Sequence, residues 1–279
     1  MGARKNPLVM PVLKWVGGKR QLLPELRRRL PKHFTTYYEP FVGGGALFFD
    51  RQPSKAVLND SNSELINVYC QISSAVESLI EELKRLPNKQ EDYYRIRQMD
   101  RDGSLEQMTP VERAARIIYL NKTCYNGLFR VNSHGEFNSP FGFYKNPNIV
   151  NETVLLAVSA YLSNHELKFK CGDYSEALKG INKGAFVYFD PPYDPVSSSA
   201  SFTGYTQGGF DAEEQERLCE VCKSLNRKGV KFMLSNSDTE RINSLYKDFN
   251  IDKVQARRNV NSDGAGRGEV SEVIVRNYE

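Results

Sequence analysis

Short apolar runs alternate along the chain with longer stretches in which apolar residues recur at helical spacing. Each apolar run is followed by polar, glycine or proline residues, which is typical of buried strands. The predicted strands are residues 37–41, 56–59, 186–189, 232–235 and 273–275. Helical patterns lie between them, as at residues 63–72 and 212–225. This alternation predicts an α/β fold with a mostly parallel sheet and helices on both faces.

The middle of the chain breaks this alternation. Residues from about 66 to 116 are charged and helical in pattern, and residues 119–142 are dense in Asn, Gly and aromatic side chains. Such a segment fits poorly as a strand–helix repeat and is expected to be an insertion with its own function. The sequence therefore predicts a sheet domain at residues 1–63 and 150–279, with an inserted domain at residues 64–149.

Composition narrows the class of protein. The 279 residues suffice for one large α/β domain carrying an insertion. The longest apolar runs are too short for a membrane span, and the N-terminus has basic residues without the apolar region of a secretory signal, so a cytoplasmic location is expected. The net charge of +4 permits binding to nucleic acid without predicting it.

The five cysteines do not predict a disulfide framework, because their number is odd and they are scattered. Cys219 and Cys222 have the spacing of metal ligands but lack a second pair or nearby histidines. They lie in an amphipathic helical pattern, so a packed helix face is the better interpretation. No metal is expected.

The most specific motif is Asp190-Pro191-Pro192-Tyr193, directly after an apolar run. Ligands of open α/β folds bind at the carboxyl edge of the sheet, where this motif is expected. An aromatic amine is a poor nucleophile until acceptors bind its N–H groups. Asp190 and the carbonyl of Pro191 supply two such acceptors, and Tyr193 supplies a ring that stacks on a base. The alternative is an acidic turn before a helix.

A second motif runs from a predicted strand through Gly43, Gly44 and Gly45 into a helix beginning near Ala46. Glycines let a ligand approach the backbone closely, although glycine-rich turns are common. Asp60 ends the next predicted strand, where a carboxylate suits ribose hydroxyls. Its alternative role is to cap the following helix.

Two basic and aromatic segments complete the pattern. Residues 14–19, Lys-Trp-Val-Gly-Gly-Lys, suit an anionic group, and the alternative is a solvated basic turn. Residues 125–130, Tyr-Asn-Gly-Leu-Phe-Arg, continue to an Asn-Ser-Pro-Phe-Gly stretch at 138–142. Arginine binds guanine bidentately and tyrosine wedges between bases, whereas the alternative is an aromatic hairpin that packs on its neighbours.

With these four segments in this order, the chain resembles the Dam family of DNA adenine methyltransferases over most of its length. It is most similar to the members that methylate GATC, including the modification enzymes of GATC restriction systems. The resemblance implies a Rossmann-like S-adenosylmethionine-dependent methyltransferase sheet with a mainly helical target-recognition domain inserted at residues 64–149. The cofactor implied is S-adenosyl-L-methionine, and the implied partner is double-stranded DNA containing GATC. No membrane or obligate protein partner is inferred.

The resemblance also implies roles for individual residues. The catalytic positions are Asp190, Pro191, Pro192 and Tyr193. The cofactor-binding positions are Trp15, Lys19, Phe41, Gly43, Gly45, Asp60, Asp173, Tyr174 and Asp190. The DNA-binding positions are Lys14, Tyr125, Asn126, Leu128, Arg130 and Pro140. Residues 197–205 match a loop that orders over bound substrate.

The implied reaction is methylation of adenine N6 by direct attack of the flipped-out base on the sulfonium methyl. Two alternatives stay open at this point. The same chemistry could act on cytosine N4 or on RNA, against which the 125–130 segment argues. The chain could instead be a DNA-binding protein without activity, against which the intact Asp-Pro-Pro-Tyr motif argues.

Overall fold

The computed structural model describes residues 5–196, 210–257 and 269–279. Within these residues, seven strands form one sheet in the order β3-β2-β1-β4-β5-β7-β6 when numbered along the chain. The strands are β1 Tyr37–Glu39, β2 Lys55–Asp60, β3 Glu166–Cys171, β4 Phe186–Phe189, β5 Lys231–Ser237, β6 Asn250–Arg257 and β7 Glu269–Arg276.

Helices separate most of these strands. The α-helices of the described residues are α1 Leu23–Arg29, α2 Ala46–Arg51, α3 Ser63–Ser74, α4 Val76–Lys84, α5 Gln90–Gln98, α6 Ser104–Gln107, α7 Pro110–Thr123, α8 Glu152–Ser163, α9 Tyr174–Ala177, α10 Ala212–Arg227 and α11 Glu240–Leu245. Single turns of 3-10 helix occupy Lys19–Gln21 and Tyr125–Gly127.

The sheet confirms the predicted α/β class. β1 runs parallel to β2 and β4, and β4 runs parallel to β5. β7 is antiparallel to both β5 and β6. All five predicted strands are present, whereas β3 and β6 were not predicted. β3 alternates Leu167 and Phe169 with charged residues and is half-exposed, so it lacks the continuous apolar run that marks a buried strand.

Contacts divide the chain into two compact units. Unit 1 comprises Met1–Gly18, Val42–Ser54 and Asn59–Asp173, and unit 2 comprises Lys19–Phe41, Lys55–Leu58 and Tyr174–Glu279. The predicted insertion, residues 64–149, falls within unit 1, which also contains residues on either side of it. The boundaries at residues 64 and 149 stay a prediction.

The core of unit 2 explains why its strands form. All four residues of β4 are buried, and Val187 and Phe189 pack in one core with Phe232 and Leu234 of β5 and with the buried face of α10. Cys219 and Cys222 lie in this core on the buried face of α10. The interpretation of these cysteines as a packed helix face is confirmed.

In unit 1, α7 is the central helix and carries the segment that follows it. A capping box at Thr109 and Glu112, with Pro110 in the first turn, fixes where α7 begins. Buried Arg116 pairs with Asp100 at 3.0 Å and donates to backbone carbonyls of the 96–97 turn, which satisfies its charge. The end of α7 is therefore a fixed base for residues 125–130.

No helix in the described ranges is long and apolar enough to cross a membrane.

Candidate functional site

Residues 190–193 form an irregular segment in unit 2, which we call the Pro-Pro turn. It follows β4, whose neighbours β1 and β5 run parallel to it. The turn consequently lies at the carboxyl edge of the parallel strands, where ligands bind in open α/β sheets. This is the edge at which the sequence placed the motif.

The carboxylate of Asp190 forms an ion pair with Lys19. Their Oδ1 and Nζ atoms are 2.7 Å apart, and both side chains are largely buried. Burial raises the pKa of Asp190 to about 6, while Lys19 lowers it and the charge of Glu272 raises it further. Asp190 is therefore mainly a carboxylate at neutral pH, in a poorly hydrated position where an acceptor interacts strongly.

Tyr193 is held from two directions. Its hydroxyl donates to Glu272 Oε2 at 3.0 Å, and Lys19 Nζ lies 4.5 Å from the centre of its ring. Burial raises the pKa of Tyr193 well above its usual value, so the hydroxyl stays a donor. Glu272, on β7, was not predicted as a site residue. The available signal in the sequence was a single carboxylate within the mainly apolar stretch 270–275, and the structure buries it.

Phe41 and Tyr174 form an aromatic cluster in unit 2. Their ring centroids are 5.0 Å apart, and Phe210 packs edge-on against Phe41 at 5.7 Å. The two residues were both predicted to bind the cofactor, and the fold brings them into direct contact.

Residues 43–45 form a loop in unit 1, which we call the glycine loop. Gly43 and Gly45 have positive φ angles of 48° and 66°, a conformation that favours glycine. Trp15 packs on the loop so closely that a Cβ added at Gly43 would lie 2.9 Å from its Cδ1 atom. The loop therefore presents bare backbone beneath Trp15.

Asp60 anchors the glycine loop. Its Oδ2 accepts the Gly43 N–H at 3.0 Å, and its Oδ1 accepts the Asn62 N–H at 3.0 Å. Burial raises the pKa of Asp60, and these backbone hydrogen bonds oppose the rise. The N-cap of α3 is Asn62, whose side chain accepts the Leu65 N–H, so the alternative role of Asp60 as the helix cap is wrong.

Asp173 follows the end of β3 in unit 1. The preceding Gly172 donates its N–H to the backbone carbonyl of Asp60 at 3.1 Å and accepts a hydrogen bond from the Asn59 side chain. Asp173 is exposed. Asp60, Asp173 and the glycine loop thus lie around the ends of β2 and β3.

Residues 125–130, which we call the recognition block, form an irregular hairpin after α7. Tyr125 and Pro140 meet across it, because the Tyr125 N–H donates to the Pro140 carbonyl at 2.8 Å. The Arg130 guanidinium donates through Nε to Asn138 Oδ1 at 2.8 Å. Tyr125, Arg130 and Pro140 are exposed, whereas Leu128 is half-buried.

Lys14 is fastened to the recognition block. Its ammonium donates to the carbonyl of Asn126. Buried Asn121 accepts the Lys14 N–H at 2.9 Å and donates to the carbonyls of Lys14 and Gly127. The DNA-binding residues predicted from two distant segments are therefore neighbours, and Asn121, which joins them, was not predicted.

Phe129 joins the recognition block to the glycine loop within unit 1. Its ring stacks on Trp15 with centroids 4.3 Å apart and planes 18° from parallel. No role was predicted for Phe129. The predicted substrate loop, residues 197–205, lies outside the described residues, apart from which each predicted site residue has been located above.

Comparison with known proteins identifies relatives over nearly the whole chain. The family described as D12 class N6 adenine-specific DNA methyltransferase matches residues 15–260. The Type II methyltransferase M1.LlaDCHI of Lactococcus lactis subsp. cremoris is 48% identical over 278 residues, which cover 99% of this chain and 98% of that protein. The Type II methyltransferase M.MjaIII of Methanocaldococcus jannaschii is 41% identical, with coverages of 97% and 99%. The DNA adenine methylase of Escherichia coli K12 is 35% identical, with coverages of 94% and 93%.

Proposed function

Because the chain belongs to the D12 class of N6 adenine-specific DNA methyltransferases, we propose that it methylates the adenine of GATC in double-stranded DNA. The chain is an adenine-specific DNA methyltransferase whose methyl donor is S-adenosylmethionine. This excludes cytosine N4, RNA and a purely DNA-binding function as its main role. The proposal of GATC rests on the recognition block and Lys14, which resemble those of GATC-methylating enzymes.

The residues present fit S-adenosylmethionine. The glycine loop has positive φ angles at Gly43 and Gly45 and packs closely against Trp15, which was itself predicted to bind the cofactor. Asp60 and Asp173 offer carboxylate acceptors suited to ribose hydroxyls and an adenine amine, and backbone hydrogen bonds hold the Asp60 carboxylate in place. The proposed cofactor-binding set also includes Lys19, Phe41, Gly43, Gly45, Tyr174 and Asp190. When bound, S-adenosylmethionine supplies a methyl group on a positively charged sulfonium that needs no further activation.

The observation that carries the mechanism is the buried Asp190 carboxylate at the carboxyl edge of the parallel strands. Asp190 accepts one N–H of the target amine, and the carbonyl of Pro191 accepts the other. Proline fixes the φ angle of Pro191, and the following Pro192 restricts its ψ angle, so the second acceptor needs little reorganisation. Lys19 keeps Asp190 deprotonated, because the ammonium favours the charged form.

Residues 64–149 serve as the target-recognition domain in this proposal. Lys14, Tyr125, Asn126, Leu128, Arg130 and Pro140 face DNA. Tyr125 and Arg130 are exposed, so the ring is accessible to a base step and the guanidinium, which Asn138 orients, is accessible to a base edge.

The target adenine leaves the duplex to reach the Pro-Pro turn. An amine paired inside a duplex is out of reach of a buried carboxylate, so enzymes that modify bases extrude them. Tyr193, whose position is fixed by Glu272, stacks on the extruded ring.

The test of specificity is transfer of labelled methyl to duplexes that differ only at one GATC site. We expect label in the GATC duplex. Each single-base change in the site should weaken recognition by about 1–3 kcal/mol and lower the labelling accordingly. Equal labelling of GATC and its variants would contradict the GATC proposal and leave adenine methylation intact.

Base extrusion is tested separately, with 2-aminopurine in place of the target adenine. We expect its fluorescence to rise when the protein and cofactor bind, because the base loses its stacked neighbours. Unchanged fluorescence in a saturated complex would contradict extrusion.

A further inference from the structure

We propose that Gln215 and Asn236 are positioning residues, which hold the Pro-Pro turn in the shape that methyl transfer requires. The inference rests on the proposed role of the turn. Gln215 lies on α10 and Asn236 near the end of β5, and neither side chain has any exposed surface. Burying an amide without hydrogen-bond partners is unfavourable, so the partners of these two side chains indicate their role.

The two amides close a ring of hydrogen bonds around the backbone of Tyr193. Gln215 Nε2 donates to the carbonyl of Pro192 at 3.0 Å. Asn236 Nδ2 donates to Gln215 Oε1 at 3.0 Å. Asn236 Oδ1 then accepts the Asp194 N–H at 2.9 Å. Pro192 and Asp194 are the neighbours of Tyr193 on either side, so the ring holds the turn at both ends of that residue.

This ring supplies a restraint that the prolines lack. Proline fixes φ but leaves ψ free, so the carbonyl of Pro192 rotates unless a partner holds it. Gln215 is that partner. Each amide both accepts and donates, so the bonds polarise one another and act as a unit. The Asn236 Oδ1 atom also accepts the Ser237 N–H at 2.8 Å, which ties the ring to β5.

The segment after the turn is held as well. The Asp194 carboxylate accepts the Thr239 hydroxyl at 2.7 Å and pairs with Arg241 at 2.6 Å. The turn is thus fixed at its exit by one backbone and two side-chain contacts. Because Gln215 and Asn236 are fully buried, they act through the turn, and their loss affects the alignment of Asp190 and Pro191 more than binding.

The test compares Gln215→Leu with the wild type by single-turnover methyl transfer at saturating cofactor and DNA. We expect the transfer rate to fall about 10- to 100-fold, because small misplacements of reacting groups have effects of this size. The dissociation constants of cofactor and DNA should change by less than about 3-fold.

Asn277→Leu is the matched control. Asn277 accepts the Phe232 N–H at 2.8 Å and donates to the Val230 carbonyl at 2.9 Å, at the opposite end of β5 from Asn236. The Asn277→Leu variant therefore loses a similar set of hydrogen bonds and leaves those of Gln215 and Asn236 intact. Its transfer rate should stay at the wild-type value. Equal rates in Gln215→Leu and the wild type, or equal losses in Gln215→Leu and Asn277→Leu, would overturn the proposal.

Gln215→Glu gives a second readout, which also decides the case if Gln215→Leu does not fold. The ionised glutamate still accepts from Asn236 but cannot donate to Pro192, whereas the protonated form can. The ratio of the Gln215→Glu rate to the wild-type rate should rise as pH falls, and a ratio independent of pH would overturn the proposal. If the wild type itself transfers no methyl to adenine, the proposed function has failed rather than this inference.

Discussion

Asp190 occupies a position between charges of opposite sign. Lys19 stabilises its carboxylate, whereas burial and Glu272 favour the protonated form. Glu272 accepts a hydrogen bond from the Tyr193 hydroxyl. The same carboxylate therefore orients the Tyr193 ring and raises the pKa of Asp190. The individual residues of unit 2 therefore set the pH range in which the proposed acceptor is available.

This balance predicts the acid limb of the pH–rate profile. Asp190 must be deprotonated to accept an amine N–H, so the single-turnover rate should fall as pH falls through about 6. Lys19→Met removes the charge that lowers the pKa, so the limb should move to higher pH. Glu272→Gln removes a charge that raises the pKa, so the limb should move to lower pH.

The measurement is the single-turnover transfer rate as a function of pH at saturating cofactor and DNA. Saturation separates the effect on Asp190 from weaker cofactor binding by the Lys19 variant. Three superimposable profiles would show that the ionisation of Asp190 does not limit transfer.

Asp60 makes a different prediction, because its carboxylate holds backbone N–H groups. Asp60→Ala should weaken cofactor binding by about 1.5–3 kcal/mol, through the lost ribose contact and the loosened glycine loop. Calorimetric titration with cofactor measures the change. Asn62→Ala is the control, since it removes the cap of α3, costs about 1 kcal/mol of stability and should leave cofactor affinity unchanged. Equal affinities in Asp60→Ala and the wild type would reduce Asp60 to a structural role.

At the scale of elements, apolar runs predicted the buried strands and missed the half-exposed ones. Residues 186–189 were predicted with the bounds that β4 has, since each of them is buried. β3 and β6 alternate polar and apolar residues, and their charged positions obscured them. The contacts of Asn121 with the recognition block and of Asn236 with the residue after the Pro-Pro turn were also missed, because a buried amide finds its partners only through tertiary structure.

The recognition block shows how elements join residues that are distant in sequence. The end of α7 carries Asn121, which holds Lys14 beside the block. The family resemblance had assigned Lys14 and the recognition block to the same DNA-binding set. The hydrogen bonds of Asn121 are the physical link between them. Arg130 lies across from Asn138 on this hairpin, so its guanidinium is oriented before DNA binds.

Arg130→Ala distinguishes base recognition from phosphate binding. If Arg130 contacts guanine, its loss should relax discrimination at one outer base pair of GATC by about 1–3 kcal/mol. The measurement is methylation of GATC and of each single-base variant of its outer pairs. Arg85→Ala, which removes an exposed arginine paired with Glu82 on α4, should leave discrimination unchanged. A uniform loss across all sequences would make Arg130 a phosphate contact.

At the scale of the molecule, the sheet and the family agree. The α/β class was predictable because alternating strands and helices leave a strong periodic pattern, and the Rossmann-like methyltransferase fold follows from the family. The boundaries of the proposed recognition domain are harder to predict, because the contacts of unit 1 extend from residues 1–18 through the glycine loop to Asp173. Contacts between residues so far apart along the chain produce no local pattern in the sequence.

We propose that the Asp190 carboxylate activates the adenine of GATC for methylation. The most direct test is a single-turnover reaction on a GATC duplex, with the methylated nucleosides separated and identified. Wild-type protein should yield N6-methyladenine from the GATC adenine alone, and Asp190→Ala should lower that rate about 100-fold or more while binding and melting temperature are retained. Methylation of another base, or near-wild-type transfer by Asp190→Ala, would contradict the account.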